Sequence, residues 1–265
     1  MSDDAPERIA KRLARAGLAS RREAERMIAE GRVRVNGAVI ESPALNVTAA
    51  DRIEVDGAEV GAPEAPRMWR YHKPQGLVTT ARDEKGRPTV FDRLPPEMPR
   101  VMSIGRLDLA SEGLLLLTND GGLKRRLELP STGWLRKYRV RARGMPDDAT
   151  LAPLRKGITV DGERFQPFTV ALDRQQGANA WLTVGIREGR NREIRRAFEA
   201  IGLSVNRLIR VSYGPFLLGD LAPGAVEEIR PKVLRDQLGL KSLSDAAPPE
   251  TPRGGRRGSG RGSGR

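Results

Sequence analysis

Cysteine is absent from the 265 residues, so disulfides and thiolate metal sites are excluded. His72 is the only histidine. That removes a zinc site built from several imidazoles, and a Ser-His-Asp triad unless His72 itself serves. Aromatic residues make up only 4%, against 38% hydrophobic residues in all, which is enough for a core but leaves no surplus for stacking platforms. No Gly-x4-Gly-Lys-Ser/Thr phosphate loop occurs, so nucleotide-driven chemistry is not indicated. No apolar run reaches the length of a membrane span. Met1-Ser2-Asp3-Asp4 lacks a signal-peptide pattern, and a cytoplasmic location is expected. The side chains left for chemistry are carboxylates, arginines and tyrosines, with no cofactor or metal expected.

Positive charge, by contrast, is plentiful. The chain has 47 Lys+Arg against 34 Asp+Glu, a net charge of +13. Such an excess points to a polyanionic partner, foremost nucleic acid. The length allows one large domain or two smaller ones.

Residues 7–17 read as a helix, with Ile9, Leu13 and Ala16 on one side and Gly17 as its stop. Ser20-Arg21-Arg22-Glu23 matches a capping box and starts a second helix that runs to about Glu30. Arg32-Val33-Arg34-Val35 alternates as a strand, Asn36-Gly37 is a hairpin turn, and Ala38-Val39-Ile40 returns. Nine basic side chains fall between Arg8 and Arg34. Arginines on the helix start and the hairpin that point one way would suit a phosphate backbone. The stretch "RIAKRLARAGLASRREAERMIAEGRVRVNGAVI" resembles an S4 RNA-binding domain. That resemblance spans residues 7–56, and Arg12, Arg21, Arg22, Arg32 and Arg34 are the expected RNA contacts.

Residues 1–6 are expected to be disordered, and residues 57–67, rich in Gly, Ala and Pro, to be a linker. From 68 to 240, strand-like runs (68–71, 114–117, 138–141, 168–172, 180–186) mix with helical ones (122–127, 149–154, 192–201, 232–238). Without regular strand–helix alternation, the expected class is α+β with a mixed, largely antiparallel sheet. Residues 241–265, ending in Arg, Gly and Ser, cannot bury apolar surface and are expected to be a disordered basic tail.

Within this second region, residues 105–120 set one carboxylate, Asp108, between Arg106 and a run of four leucines, Leu114 to Leu117. The leucines read as a fully buried strand. Asp108 therefore sits at the edge of an apolar core, where a carboxylate needs cations or hydrogen-bond donors to stay ionised. Such a group can act as nucleophile or base; it can equally do no more than tie down a turn. In residues 187–196, five of ten are arginine. Arg192, Arg195 and Arg196 are spaced to share a helix face that could hold phosphates or clamp a carboxylate. In residues 136–141 the alternation puts Tyr138 and Val140 on the face opposite the basic side chains.

"HKPQGLVTT", "GRLDLASEGLLLLTND", "KYRV", "EGRNREIRRAFEAIGLSVNRLIRVSYGPFLL" and "GAVEEI" together resemble one branch of the ribosomal RNA pseudouridine synthases. That branch comprises the small-subunit enzymes of type A and the large-subunit enzymes of types B, E and F. "GANAWLTVGIREGRNREIRR" and "LIRVSYG" are nearest type B. Ser111 stands where the family usually has threonine, and Tyr71-His72 where an apolar residue and asparagine are common. The resemblance implies isomerisation of uridine to pseudouridine, with Asp108 attacking the ribose C1′ or the uracil C6. It implies Arg195 as the partner of that carboxylate and Tyr138 as the aromatic beside the target base. Arg106, Lys73 and Arg192 are the expected substrate contacts. The expected partner is ribosomal RNA, foremost the 23S large-subunit RNA, naked or in an assembling particle, bound by a monomer. Two alternatives remain open: a non-catalytic rRNA-binding or ribosome-assembly factor, and a synthase acting on 16S small-subunit rRNA. A metal-dependent nuclease would have to draw on Glu112 and Asp120 beside Asp108.

Overall fold

The computed structural model describes residues 5–242. The first four residues and, from position 243 on, the expected tail lie outside that range. The N-terminal unit packs two helices, α1 (Ile9–Arg15) and α2 (Arg21–Ala29), on a four-stranded sheet. Ser20 caps α2, its hydroxyl accepting from the Glu23 N–H at 3.1 Å. Asn36 and Gly37 both adopt positive φ (53° and 85°), the backbone that a two-residue hairpin of this kind requires. Helix α1 begins two residues later than expected, because Glu7–Arg8 pairs as a short strand with Asn46–Val47. Ile9, Leu13, Ala24, Ile28, Val33 and Ile53 form the core of this unit. Strand Ala58–Glu59 pairs with Ile53–Val55, inside the stretch expected to be linker. Pairing there lets Val60 pack on the same core.

The second unit is built on one large mixed sheet. Its strands run in the spatial order Thr169–Gln176, Asn179–Ile186, Arg136–Arg143, Ser204–Tyr213, Glu112–Thr118, Met68–Lys73 and Val226–Glu228. All neighbours are antiparallel except Ser204–Tyr213 against Glu112–Thr118, which is parallel. The four leucines explain why the sheet is a wall between two cores. Successive side chains of a strand point to opposite faces. Leu115 and Leu117 join one core, with Leu151 and Leu154 of α4 (Asp148–Lys156) and Ala197 and Phe198 of α5 (Glu193–Ala200). Leu114 and Leu116 join the other, with Leu123 and Leu127 of α3 (Gly121–Glu128) and Leu234 and Leu238 of α6 (Pro231–Leu238). Truncating one such leucine to alanine costs about 2–5 kcal/mol. The strand is therefore a fixed support for the loop that precedes it.

Gly113 marks where that loop enters the strand. Its φ is +102°, and a Cβ would lie 2.4 Å from the Arg210 carbonyl oxygen. Only glycine lets the two parallel strands approach so closely at this register, where Gly113 faces Arg210. The expected strands and helices are all present. The 204–213 strand was not anticipated, because Arg207 and Arg210 interrupt its apolar pattern.

Candidate active site

Between the Asp108 loop, the start of the Arg136–Arg143 strand and the loop before α5 opens a cleft of about 970 Å³. Asp108, Tyr138, Arg106 and Arg192 all line it, so three separate stretches of the sequence meet in one cavity. A register shift between Lys137 and Tyr138 bends the strand where Tyr138 enters the cleft, opposite Arg210. Tyr138 is mostly buried, at 7% exposure, which fixes its ring. Arg106 is exposed and makes no side-chain bond among the described residues. Arg192 is exposed too, and its backbone is held left-handed at φ 49°, an uncommon conformation for a residue with a Cβ.

Asp108 is half-buried, and its carboxylate accepts no hydrogen bond among the described residues. Its loop is tied instead by its backbone. The Lys73 ammonium, with no exposed surface, donates to the carbonyls of Pro74 (3.0 Å), Asp108 (3.1 Å) and Ser111 (2.8 Å). The structure therefore places Lys73, expected as a substrate contact, behind the loop, with its ammonium bonded to backbone carbonyls. Burial and the nearby Arg210 push its pKa down to about 8, against the attraction of Asp108 and Glu112. Arg195 also differs from expectation. It donates to the carbonyls of Val205 (2.8 Å) and Ala110 (2.9 Å), and its Nε is buried without a partner. It reaches the backbone of the Asp108 loop, not the carboxylate. Burial and the nearby Arg192 lower its pKa, against the attraction of Asp108. The Ser111 hydroxyl, where threonine is usual, is buried without a partner.

The expected arginine face of α5 is divided. Arg196 pairs with Glu163 (2.6 Å) and Asp161 (3.4 Å), and Arg190 with Glu163 (2.8 Å) and Glu188 (2.6 Å). In the N-terminal unit Arg21 and Arg22 are exposed and unbonded among the described residues, and Arg34 reaches only the Gly37 carbonyl at 3.5 Å. Arg32 is occupied: it grips Asp56 with both sides of its fork (2.9 and 2.6 Å) and Glu30 at 3.2 Å. Arg12 is half-buried, and its Nε has no partner. These two cations are less open to RNA than their sequence positions imply.

Glu112 and Asp120, the carboxylates a nuclease would draw on, have other partners. Glu112 is gripped by Arg207 at 2.6 and 3.3 Å, which holds its pKa below the usual range. Asp120 caps α3 by accepting from the Leu123 N–H at 2.7 Å. Residues that the sequence reading missed are Glu193, Arg210 and Tyr213. The Glu193 carboxyl lines the cleft at 3% exposure, one oxygen accepting from the Arg190 N–H (3.0 Å) and the other partnerless. Burial pushes its pKa up to about 7. The Tyr213 ring carries the guanidiniums of both Arg136 and Arg210, 4.7 and 5.4 Å from its centre. Its one sequence signal is "LIRVSYG", in which a single arginine interrupts an apolar run.

Residues 67–200 match the family model described as RNA pseudouridylate synthase, and residues 7–53 match the S4 domain. This chain belongs to the RNA pseudouridine synthase family, with an S4 RNA-binding domain in front. It is 50% identical to an RNA pseudouridine synthase of Rickettsia felis, over 86% of this chain and 99% of that one. It is 44% identical to the ribosomal large subunit pseudouridine synthase B of Escherichia coli (strain K12), over 78% of this chain and 74% of that one. A crystal structure of a pseudouridylate synthase superposes with a TM-score of 0.62 at 25% identity, covering 87% of this chain and 99% of that one. The chain is thus an RNA pseudouridine synthase of α+β architecture. None of the helices among the described residues is long and apolar enough to cross a membrane.

Proposed function

We propose that this synthase converts a specific uridine of 23S large-subunit ribosomal RNA to pseudouridine, with Asp108 as the nucleophile. The observation that carries this reading is the state of Asp108: an unbonded carboxylate on a backbone-tied loop, facing a cleft with buried cations behind it. Attack at C1′ forms an ester as the C1′–N1 bond breaks, and C5 later displaces the carboxylate from C1′; addition at C6 is instead followed by exchange of the C1′–N1 bond for C1′–C5, after which the carboxylate leaves C6. The uracil turns and rejoins through C5; C5 gives up its proton and N1 gains one, so the product is an isomer. Tyr138, its ring fixed at the cleft wall, packs on the base. Arg106 and Arg192 hold phosphates of the flipped nucleotide. Unstacking that nucleotide costs a few kcal/mol. One charge-assisted bond contributes about 1.5–3 kcal/mol, so two arginines offset it. The S4 unit supplies further phosphate contacts through Arg21, Arg22 and Arg34. The likeness to the Escherichia coli enzyme supports the large-subunit RNA as substrate. An rRNA substrate implies a cytoplasmic enzyme.

The test is tritium release from C5 of labelled uridine in 23S rRNA, with a gel for strand integrity. Asp108→Asn keeps size and polarity but has no anionic oxygen, and it should abolish release while RNA affinity and melting temperature stay close to wild type. Full release by the variant refutes the nucleophile. Release from 16S but not 23S rRNA refutes the substrate, no release by either protein favours a binding factor, and strand cleavage favours a nuclease.

A further inference from the structure

Arg210 sits in the second half of the Ser204–Tyr213 strand, opposite Tyr138 on one neighbour and Gly113 on the other. It is 2% exposed, and no carboxylate pairs with it among the described residues. A guanidinium is charged at any working pH, and burying one without a counter-ion is expensive. Its nitrogens are used as follows. Nε donates to the Leu114 carbonyl at 2.7 Å, and Nη1 reaches the Arg106 carbonyl at 3.4 Å. Nη2 is buried and has no partner. Its Cζ lies over Tyr213, 5.4 Å from the ring centre, and the Tyr213 hydroxyl donates to the Leu127 carbonyl at 2.9 Å.

The two carbonyls bracket the Asp108 loop: Arg106 is where the chain leaves for the loop and Leu114 is where it has returned to the strand. Lys73 and Arg195 tie the stretch between, at residues 108, 110 and 111. The three cations therefore act on one segment from three sides, and each spends its bonds on backbone. We propose that Arg210 is a positioning residue for the reaction: its fork clamps both ends of the loop that carries Asp108. This rests on the reading of Asp108 as nucleophile.

The planar fork of Arg210 meets the Leu114 and Arg106 carbonyls from fixed directions; methionine has no donor for them, and the single ammonium of the shorter lysine does not reproduce that fork. Misplacing a reacting group by about an ångström costs on the order of 100-fold in rate. Charge loss also has a signature that loosened packing lacks. The charged groups acting on the Lys73 ammonium are Asp108 and Glu112, which favour it, and Arg210, which opposes it. Removing Arg210 should let Lys73 hold its proton to higher pH.

The experiment measures tritium release by the full chain on 5-tritiated 23S rRNA transcript, for Arg210→Met, Arg210→Lys and Asp108→Asn, with thermal melts of each. Arg210→Met should lose about 10- to 100-fold in kcat with KM within about twofold. The alkaline fall of its kcat profile should move above that of wild type. Arg210→Lys should recover only part of kcat, with the alkaline fall unmoved. If Arg210→Met does not fold, Arg210→Lys decides alone: wild-type kcat there overturns the clamp. A rise in KM at unchanged kcat makes Arg210 an RNA contact and overturns the inference, as does an unchanged profile. Activity in Asp108→Asn overturns the nucleophile reading instead, so the two failures are distinct.

Discussion

Lys73, Arg195 and Arg210, around the Asp108 loop, donate to backbone carbonyls. Arg190, Arg196 and Arg32, in the loop before α5, in α5 itself and in the S4 unit, donate to carboxylates. The residue types are the same and the consequences differ. A cation paired with Glu or Asp has its field cancelled nearby, and at an exposed site the pair contributes only about 0–1 kcal/mol. A buried cation bonded to neutral carbonyls keeps its field, which then acts on the nearest anion, here Asp108. The paired set fixes shape at the periphery; the unpaired set makes the centre electropositive while leaving the Asp108 oxygens unbonded among the described residues.

The largest effect expected from this contrast is at Lys73. Lys73→Met removes three bonds and leaves the carbonyls of Pro74, Asp108 and Ser111 short of a donor. A stability loss of about 2–5 kcal/mol and near-complete loss of turnover are expected, read by thermal melting and tritium release. The sign of the pH effect follows from the depressed pKa of about 8. As pH rises through that value the ammonium gives up its proton, the ties weaken and the charge vanishes, so the wild-type rate falls on the alkaline side. A fully stable and active Lys73→Met protein would break the contrast at its centre.

Glu193 is the exception within the peripheral set, a carboxyl buried beside Arg190 and Arg136 yet without a guanidinium bond. Its pKa is raised from the usual 4.5 to about 7. Between those values the folded protein holds a proton that the unfolded chain has released, so this group makes stability fall as pH rises. Glu193→Gln keeps the acceptor for the Arg190 N–H and removes the titration. The variant should match wild type near pH 4.5 and exceed it by about 1–3 kcal/mol above pH 7, by urea unfolding. An equal difference at both pH values would show that Glu193 is ionised throughout.

What could be read from sequence follows the same division. The leucine strand, the Ser20 cap and the Asn36-Gly37 turn rest on neighbours within a few positions, and each appears where the pattern puts it. The positions of Asp108 and Tyr138 on one cleft follow from the family motifs. Lys73 could not be read as buried, because two of its carbonyl partners lie 35 and 38 residues away. Arg210 was illegible for the same reason, its partners being 96 and 104 residues distant. Long-range bonds to backbone leave no mark in composition, since every residue has a carbonyl. The Arg32–Asp56 pair was illegible for a like reason: Asp56 lies 24 residues on, in a strand-to-strand turn that the hairpin pattern does not include.

The S4 unit offers a smaller effect. Arg21 and Arg22 are unpaired among the described residues, whereas Arg32 is held by Asp56 and Glu30. Replacing both free arginines with alanine should weaken RNA binding about tenfold and flatten the salt dependence by roughly 1.5 in log–log slope, for two lost phosphate contacts. Arg32→Ala should change neither beyond about twofold. Fluorescence anisotropy over a salt series measures both. Equal losses would mean that RNA displaces the Asp56 pair, and that pairing does not mask a cation from phosphate.

The smallest effect, and the sharpest in sign, is at Glu163. Its carboxylate holds Arg190 at 2.8 Å and Arg196 at 2.6 Å, with Arg196 also lying over the Phe165 ring. Glu163→Ala should cost about 1 kcal/mol of stability, since the pairs are partly exposed and Arg196 keeps its contacts with Asp161 and the ring. Removing an acidic residue usually loosens what it holds, so a purely structural role predicts unchanged or weaker RNA binding. The masking argument predicts the opposite. Arg190 lines the cleft, and losing one of its two carboxylates frees positive charge there. RNA affinity should rise by about two- to threefold at low salt and converge with wild type at high salt, because the gain is electrostatic. A gain that persists at high salt would mean that the loop has moved and not merely been unmasked.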